Sequence, residues 1–312
     1  MLNYTTHLVY SSFFFVSTIS IGALGSLNWP RKFFANTVYI IIISGNVISI
    51  AIICGYIFGH AHKFTKFFDI DGYITIGIAI AISFCLSLPL TLKHKCAIWI
   101  LSCLLSGFGL ITVLSRGALL FSGIACFLII LVYWPNYRKR RELFLSIIFR
   151  IGAIWSVAVI SVYVLPNRTI RGLKRLFCGN EFDTKRGDLW IDAINKIKEA
   201  PIFGHGFGFS NGGNLYPHNL FLQVGIDGGI LSMLILLIIV AFPILVLYCA
   251  WRRGLLRDEP LPVALLCAYV FIFLEYSVSG DFYKARPFFI ISSILIGYLS
   301  FLFNHQHTKQ EF

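Results

Sequence analysis

The stretch "NLFLQVGIDGGILSMLILLIIVAFPILVLYCA" (219–250) carries one charged residue, Asp227. A helix crosses a hydrocarbon core with about 20 mostly apolar residues, so this stretch reads as a membrane span. Stretches 8–27, 38–58, 73–90, 96–115 and 117–134 have no charged residue, and 143–165, 261–280 and 288–303 have isolated exceptions at Arg150 and Glu275. The count is about nine spanning helices. A transmembrane β-barrel would show short segments of alternating polarity, and these runs do not alternate. The chain has 312 residues, 57% hydrophobic and 13% charged, with a mean hydropathy of +0.80. That composition points to the bilayer as solvent. The expected fold is an all-α polytopic membrane protein.

The formal net charge is +12. Its distribution speaks for membrane topology and against nucleic acid as a partner, because the basic residues gather in connections. Arg31 and Lys32, Lys93 and Lys95, Arg138 to Arg141, and Arg252, Arg253 and Arg257 fall on alternate connections. One orientation places them all in the cytoplasm. The connections 59–72, around Arg116, 166–217 and 281–287 then face outward, with the amino terminus outside and the carboxyl tail inside. Of the eight cysteines, only Cys178 lies in an exposed loop, and no CxxC pair occurs. The others read as small hydrophobes.

Most connections are short, but 166–217 is long enough to be functional. It divides the chain into an amino-terminal bundle (1–165), this loop (166–217) and carboxy-terminal helices (218–312). Within the loop, "DLWIDAINKIKEA" (188–200) sets Leu189, Trp190, Ala193, Ile194 and Ile197 on one helical face and Asp188, Asp192, Lys196 and Glu199 on the other. That is an amphipathic helix ended by Pro201. It suits either the membrane surface or a cap packed on the other helices. "PIFGHGFGFSNGG" (201–213) follows with five glycines. Gly204 and Gly206 belong to this turn, whose backbone is free to adopt positive φ and approach a ligand closely. No parallel strand unit surrounds it, so it is not a dinucleotide fingerprint.

Three residues stand out for chemistry. Pro217 suits the first turn of a helix, which puts His218 at a helix amino terminus on the outer face. The dipole there favours anions and disfavours a protonated imidazole. His218 reads either as a base or as a boundary histidine bonding the interface. Arg116, in "LSRGALL", stands alone between two charge-free runs. Such an arginine costs roughly 2.5–3.5 kcal/mol on insertion scales unless it snorkels or meets an anion. Arg186, in "KRGDLW" just before the amphipathic helix, is a planar fork suited to phosphate or a solvated loop charge. Asp227, among Gly225, Gly228 and Gly229, is an intramembrane carboxylate that could pair with an arginine. Glu275, Asp281, Lys284 and Arg286 surround the last outer turn and could complete a polar pocket. No acidic cluster resembles a metal site.

The order "SRGALL", then "RGDLWIDAINKIKEAPIFGHGFG", then "PHNLFLQVGIDGGI" resembles the core of the O-antigen ligase and polymerase superfamily. The resemblance covers roughly Leu101 to Leu237. It implies a glycosyltransferase of the bacterial inner membrane, with its active site at the periplasmic face in the long loop. The implied donor is an undecaprenyl-diphosphate-linked glycan. The acceptor is lipid A core for a ligase, or another lipid-linked glycan for a polymerase. By the same resemblance His218 would orient or deprotonate the acceptor hydroxyl, with Asn219 supporting it, and Arg116 and Arg186 would hold the diphosphate. No metal or other cofactor is implied. Ligases of this kind are usually longer, with additional amino-terminal helices; a shortened start or an uncounted re-entrant segment would each account for the outside amino terminus.

A transporter of lipid-linked sugars is the rival from another class. It would carry charged residues or broken helices near mid-bilayer, often in two related halves. Here the polar candidates gather at one face, which favours surface chemistry.

Overall fold

The computed structural model describes residues 29–57, 72–93, 96–113, 115–137, 182–211, 216–256, 259–279 and 285–310. Eight α-helices and one 3-10 turn form, and no strand occurs among the described residues. The helices are α1 (Arg31–Ile57), α2 (Gly72–Lys93), α3 (Ala97–Val113), α4 (Arg116–Tyr137), α5 (Phe182–Glu199), α6 (Leu220–Arg252), α7 (Pro260–Ser279) and α8 (Arg286–Gln310). Five of them are long and apolar enough to cross a membrane: α1, α2, α6, α7 and α8. Two shorter apolar segments, Ala97–Val113 and Gly117–Leu128, accompany them. The expected spans 8–27 and 143–165, the basic run 138–141 and Cys178 lie outside the described residues.

The chain divides into two compact units. One holds α1 to α4 and the first part of α7, through Ile272. Its helices α1, α2 and α3 pack on one another, and α4 packs on α2. Small residues line those contacts: Gly45 lies against Ser83, Gly77 against Ser115 and Gly109 against Ser49. Lipid tails are as apolar as leucine, so helices in a bilayer associate through close backbone approach and hydrogen bonds. Both occur here. Ser83 Oγ donates to the Ile42 carbonyl at 2.9 Å, and Asn46 Nδ2 donates to Ser102 Oγ at 2.6 Å. At the end of this unit Arg31 Nη2 meets both Glu259 carboxylate oxygens, at 2.9 and 2.8 Å.

The other unit holds α5, the glycine-rich turn, α6, the end of α7 from Phe273, and α8. Its helices α5 and α8 both pack on α6. Three corrections to the sequence reading belong here. The amphipathic helix begins at Phe182, so Arg186 lies inside it and not before it. Helix α6 begins at Leu220 with Asn219 as its cap, so Pro217 does not open it. And α6 is broken: Gly229, at φ 66 and ψ −167, leaves helical geometry.

Burial changes character at that break. Before it, Leu220, Gln223, Val224, Ile226 and Asp227 are buried; after it, Ile230, Leu231, Leu234, Ile235 and Ile238 are exposed apolar side chains. The segment after the break spans roughly 35 Å at 1.5 Å per residue, enough for a hydrocarbon core by itself. The segment before it is clad by α5 and the turn, with Ala193 buried and Ile197 lying over Gly225.

Candidate functional site

The break in α6 is where the glycine-rich turn docks. In an unbroken helix the Ile226 and Asp227 carbonyls would accept from amides four residues on. Here the turn supplies the donors: His205 N–H bonds the Ile226 carbonyl and Gly206 N–H the Asp227 carbonyl, each at 2.9 Å. In return the Ile230 amide donates to the Pro201 carbonyl at 2.8 Å. The Asp227 carboxylate closes the joint. Its Oδ1 accepts from Ser210 N–H at 2.8 Å and its Oδ2 from Gly208 N–H at 3.3 Å. The intramembrane acid of the sequence is thus a ligand for backbone amides.

Two glycines permit this approach. Gly204, at φ 67, lies so close to the Asp227–Gly228 peptide that a Cβ would sit 2.5 Å from its atoms. A Cβ on Gly229 would collide with the Ile202 carbonyl. Both also hold positive φ, which side chains rarely tolerate.

The same turn ties off α5. The His205 ring nitrogen Nε2 lies 2.9 Å from the Lys196 carbonyl, in the last turn of the helix, and the ring stacks on Phe209 at 4.5 Å. An unbonded carbonyl at a helix end needs such a donor. His205, which the sequence reading passed over, is therefore occupied as a cap. Nearby, hydrogen bonds from Lys196 hold the exposed Glu199 carboxyl below its ordinary range.

His218 stands between two fixed points. On its amino-terminal side, Trp190 Nε1 of α5 donates to the Pro217 carbonyl at 2.9 Å. On its carboxy-terminal side, Asn219 caps α6, its Oδ1 accepting from Phe221 and Leu222 amides at 2.9 and 3.0 Å. His218 itself takes φ 51. That left-handed conformation is uncommon outside glycine, with asparagine, aspartate and histidine the residues enriched there, and it costs on the order of 1–3 kcal/mol. Its side chain is exposed, with the Tyr216 ring edge-on at 4.2 Å. Strain of this kind is maintained at sites where a side chain must be presented in one direction.

Arg186 lies one helical turn before Trp190, so the helix that pins Pro217 also carries the arginine. Its Nη1 reaches the Val278 carbonyl at the end of α7, at 3.5 Å. Arg116 belongs to the other unit, as the first residue of α4, preceded by the buried Ser115, whose carbonyl accepts the Leu119 amide at 3.0 Å. Its side chain lies outside the described residues, as do Asp281 and Lys284. Trp190 is the residue the sequence underrated. Its place on the apolar face was legible, its bond to Pro217 was not.

These helices and this clustered loop define a multi-pass helical membrane protein with polar residues gathered around one broken helix. Residues 101–237 match the family model described as O-antigen ligase, so the likeness carried by the motifs is a family match over that segment. Members of that family are glycosyltransferase-like ligases and polymerases. No curated protein matches the chain.

Trp190→Phe keeps a ring and removes the donor to Pro217. Losing one neutral hydrogen bond of about 1 kcal/mol is expected to lower the midpoint of thermal unfolding by roughly 2 °C while membrane accumulation stays unchanged. A melting curve of the purified protein in detergent checks it.

Proposed function

We propose that the protein is an O-antigen ligase-like glycosyltransferase of the bacterial inner membrane. It moves a glycan from an undecaprenyl-diphosphate donor to a sugar hydroxyl of lipid A core at the periplasmic face. The observation that carries this reading is the presentation of His218, strained and exposed between the Trp190-held Pro217 and the Asn219 cap, inside the matched segment.

In this mechanism His218 takes the proton of the acceptor hydroxyl. The oxygen attacks the anomeric carbon, and the bond from that carbon to phosphate oxygen breaks. Undecaprenyl diphosphate leaves with the electron pair. Arg116 and Arg186 neutralise the departing charge, which is the largest electrostatic demand of the transfer. Gly204, Gly206 and Asp227 hold the turn in the α6 break and act through the scaffold, as does Asn219 through its cap.

A deletion strain examined on a lipopolysaccharide gel tests the function. Loss of all O-antigen from core, with polymer accumulating on its carrier lipid, is the ligase result. Core bearing a single repeat would instead identify a polymerase, which shares the donor chemistry. A normal ladder would overturn both. Arg116→Ala and Arg186→Ala are each expected to raise the donor KM at least tenfold, and unchanged donor use would remove their role.

A further inference from the structure

Glu275 lies near the end of α7 and is 1% exposed. Its Oε2 has no hydrogen-bond partner. A buried carboxyl without partners is costly, and more so in a membrane helix. A nearby cation can offset that cost, and the charge acting on Glu275 is Arg186. Helix α5 carries Arg186 to the end of α7, where Nη1 donates to the Val278 carbonyl. Val278 follows Glu275 by three residues, so both lie on one helix face. The end carbonyls of a helix bear partial negative charge. Two acceptors on α7, a backbone carbonyl and a carboxyl, therefore draw the guanidinium toward the same side.

Burial decides what Glu275 can do. At 1% exposure it does not touch a substrate, so any effect on transfer runs through its neighbour. We propose that Glu275 is a positioning residue that fixes the direction of the Arg186 guanidinium, an inference that rests on Arg186 being a ligand of the donor diphosphate. Arginine has five N–H donors in a rigid fork. With one edge turned to α7, the other is aimed for bidentate contact with phosphate oxygens. The carboxyl also subtracts positive potential from the arginine. Alignment and competition change affinity in opposite directions, so the sign of the effect separates them.

The test uses the full-length protein in lipid nanodiscs with an undecaprenyl-diphosphate-linked glycan as the varied substrate. Glu275→Gln is expected to raise the donor KM about tenfold with kcat within about twofold, the pattern of lost uniform binding. Glu275→Asp, which keeps the carboxyl, should recover most of that loss. In an Arg186→Ala background Glu275→Gln should add nothing, because a residue acting through Arg186 has nothing left to act on. An unchanged KM, a lowered KM, or the same tenfold loss in the Arg186→Ala background would each overturn the assignment. If the wild type transfers no glycan, the functional reading falls separately. Binding of inorganic pyrophosphate then decides for Glu275: a roughly tenfold weaker Kd in Glu275→Gln supports it, and an equal Kd overturns it.

Discussion

Replacing His218 by alanine is expected to lower glycan transfer by at least a hundredfold, with the protein still accumulating in the membrane. General acid–base groups contribute typically about 10² to 10⁴ in rate, and His218 is the side chain placed to accept the hydroxyl proton in the proposed mechanism. Its side chain is exposed, so its removal leaves no cavity. The backbone is the confounding factor. At φ 51 alanine is less at ease than histidine, and a shifted loop would also reduce activity. His218→Asn separates the two causes, because asparagine tolerates the left-handed region but cannot serve as a base near neutral pH. Both variants should be inactive in an initial-rate assay. Activity retained in His218→Asn but lost in alanine would make position 218 a matter of backbone shape. Wild-type activity in alanine would end the catalytic assignment.

What the sequence disclosed and what it hid have separate physical origins. Spans such as α2 and α7 were legible because an apolar run of sufficient length has few alternatives in water or lipid. Helix starts were less so. Pro217 looked like a first-turn proline, but the asparagine two residues later offers the stronger signal, a side-chain acceptor for two orphan amides. Arg186 was read outside its helix because the polar run from Asp183 to Gly187 looks like loop, and Gly187 like a breaker. The helix nevertheless extends back to Phe182.

The broken helix was invisible to hydropathy altogether. An apolar run reads as continuous whether or not one residue leaves the helix. What breaks α6 is a set of long-range backbone bonds from residues 201–206, and no local propensity encodes them. The glycines at 204, 228 and 229 were noticed, but as licence for a ligand or a neighbouring helix. The partner of Gly204 and Gly229 is the chain itself. Asp227 was legible only in part for a similar reason: an acid in an apolar run suggests an arginine, while the backbone amides that bond its carboxylate leave no mark in a sequence.

That joint yields the largest structural prediction. Gly229→Ala is expected to prevent accumulation of folded protein, seen as loss of a monodisperse peak in detergent. Gly229 occupies φ 66 and ψ −167, a region essentially restricted to glycine, where another residue costs on the order of 1–3 kcal/mol. The added Cβ also meets the Ile202 carbonyl, which is backbone and cannot rotate away. Relieving the clash means moving the turn, and with it the bonds of Pro201, His205 and Gly206 to α6, each about 1 kcal/mol. Two neighbours calibrate the claim. Gly228→Ala has no positive φ to strain, but its Cβ would sit 2.6 Å from the Ser232 Cβ, which no rotamer change moves, so it should lose folded protein, though less than Gly229→Ala. Gly206→Ala faces open space and meets only the cost of its positive φ of 100, so it should be the mildest of the three. If all three variants behaved alike, backbone docking in the α6 break would not be what holds the turn. If Gly229→Ala folded and transferred glycan normally, the break itself would be dispensable, and the presentation of His218 would rest on Trp190 and the Asn219 cap alone.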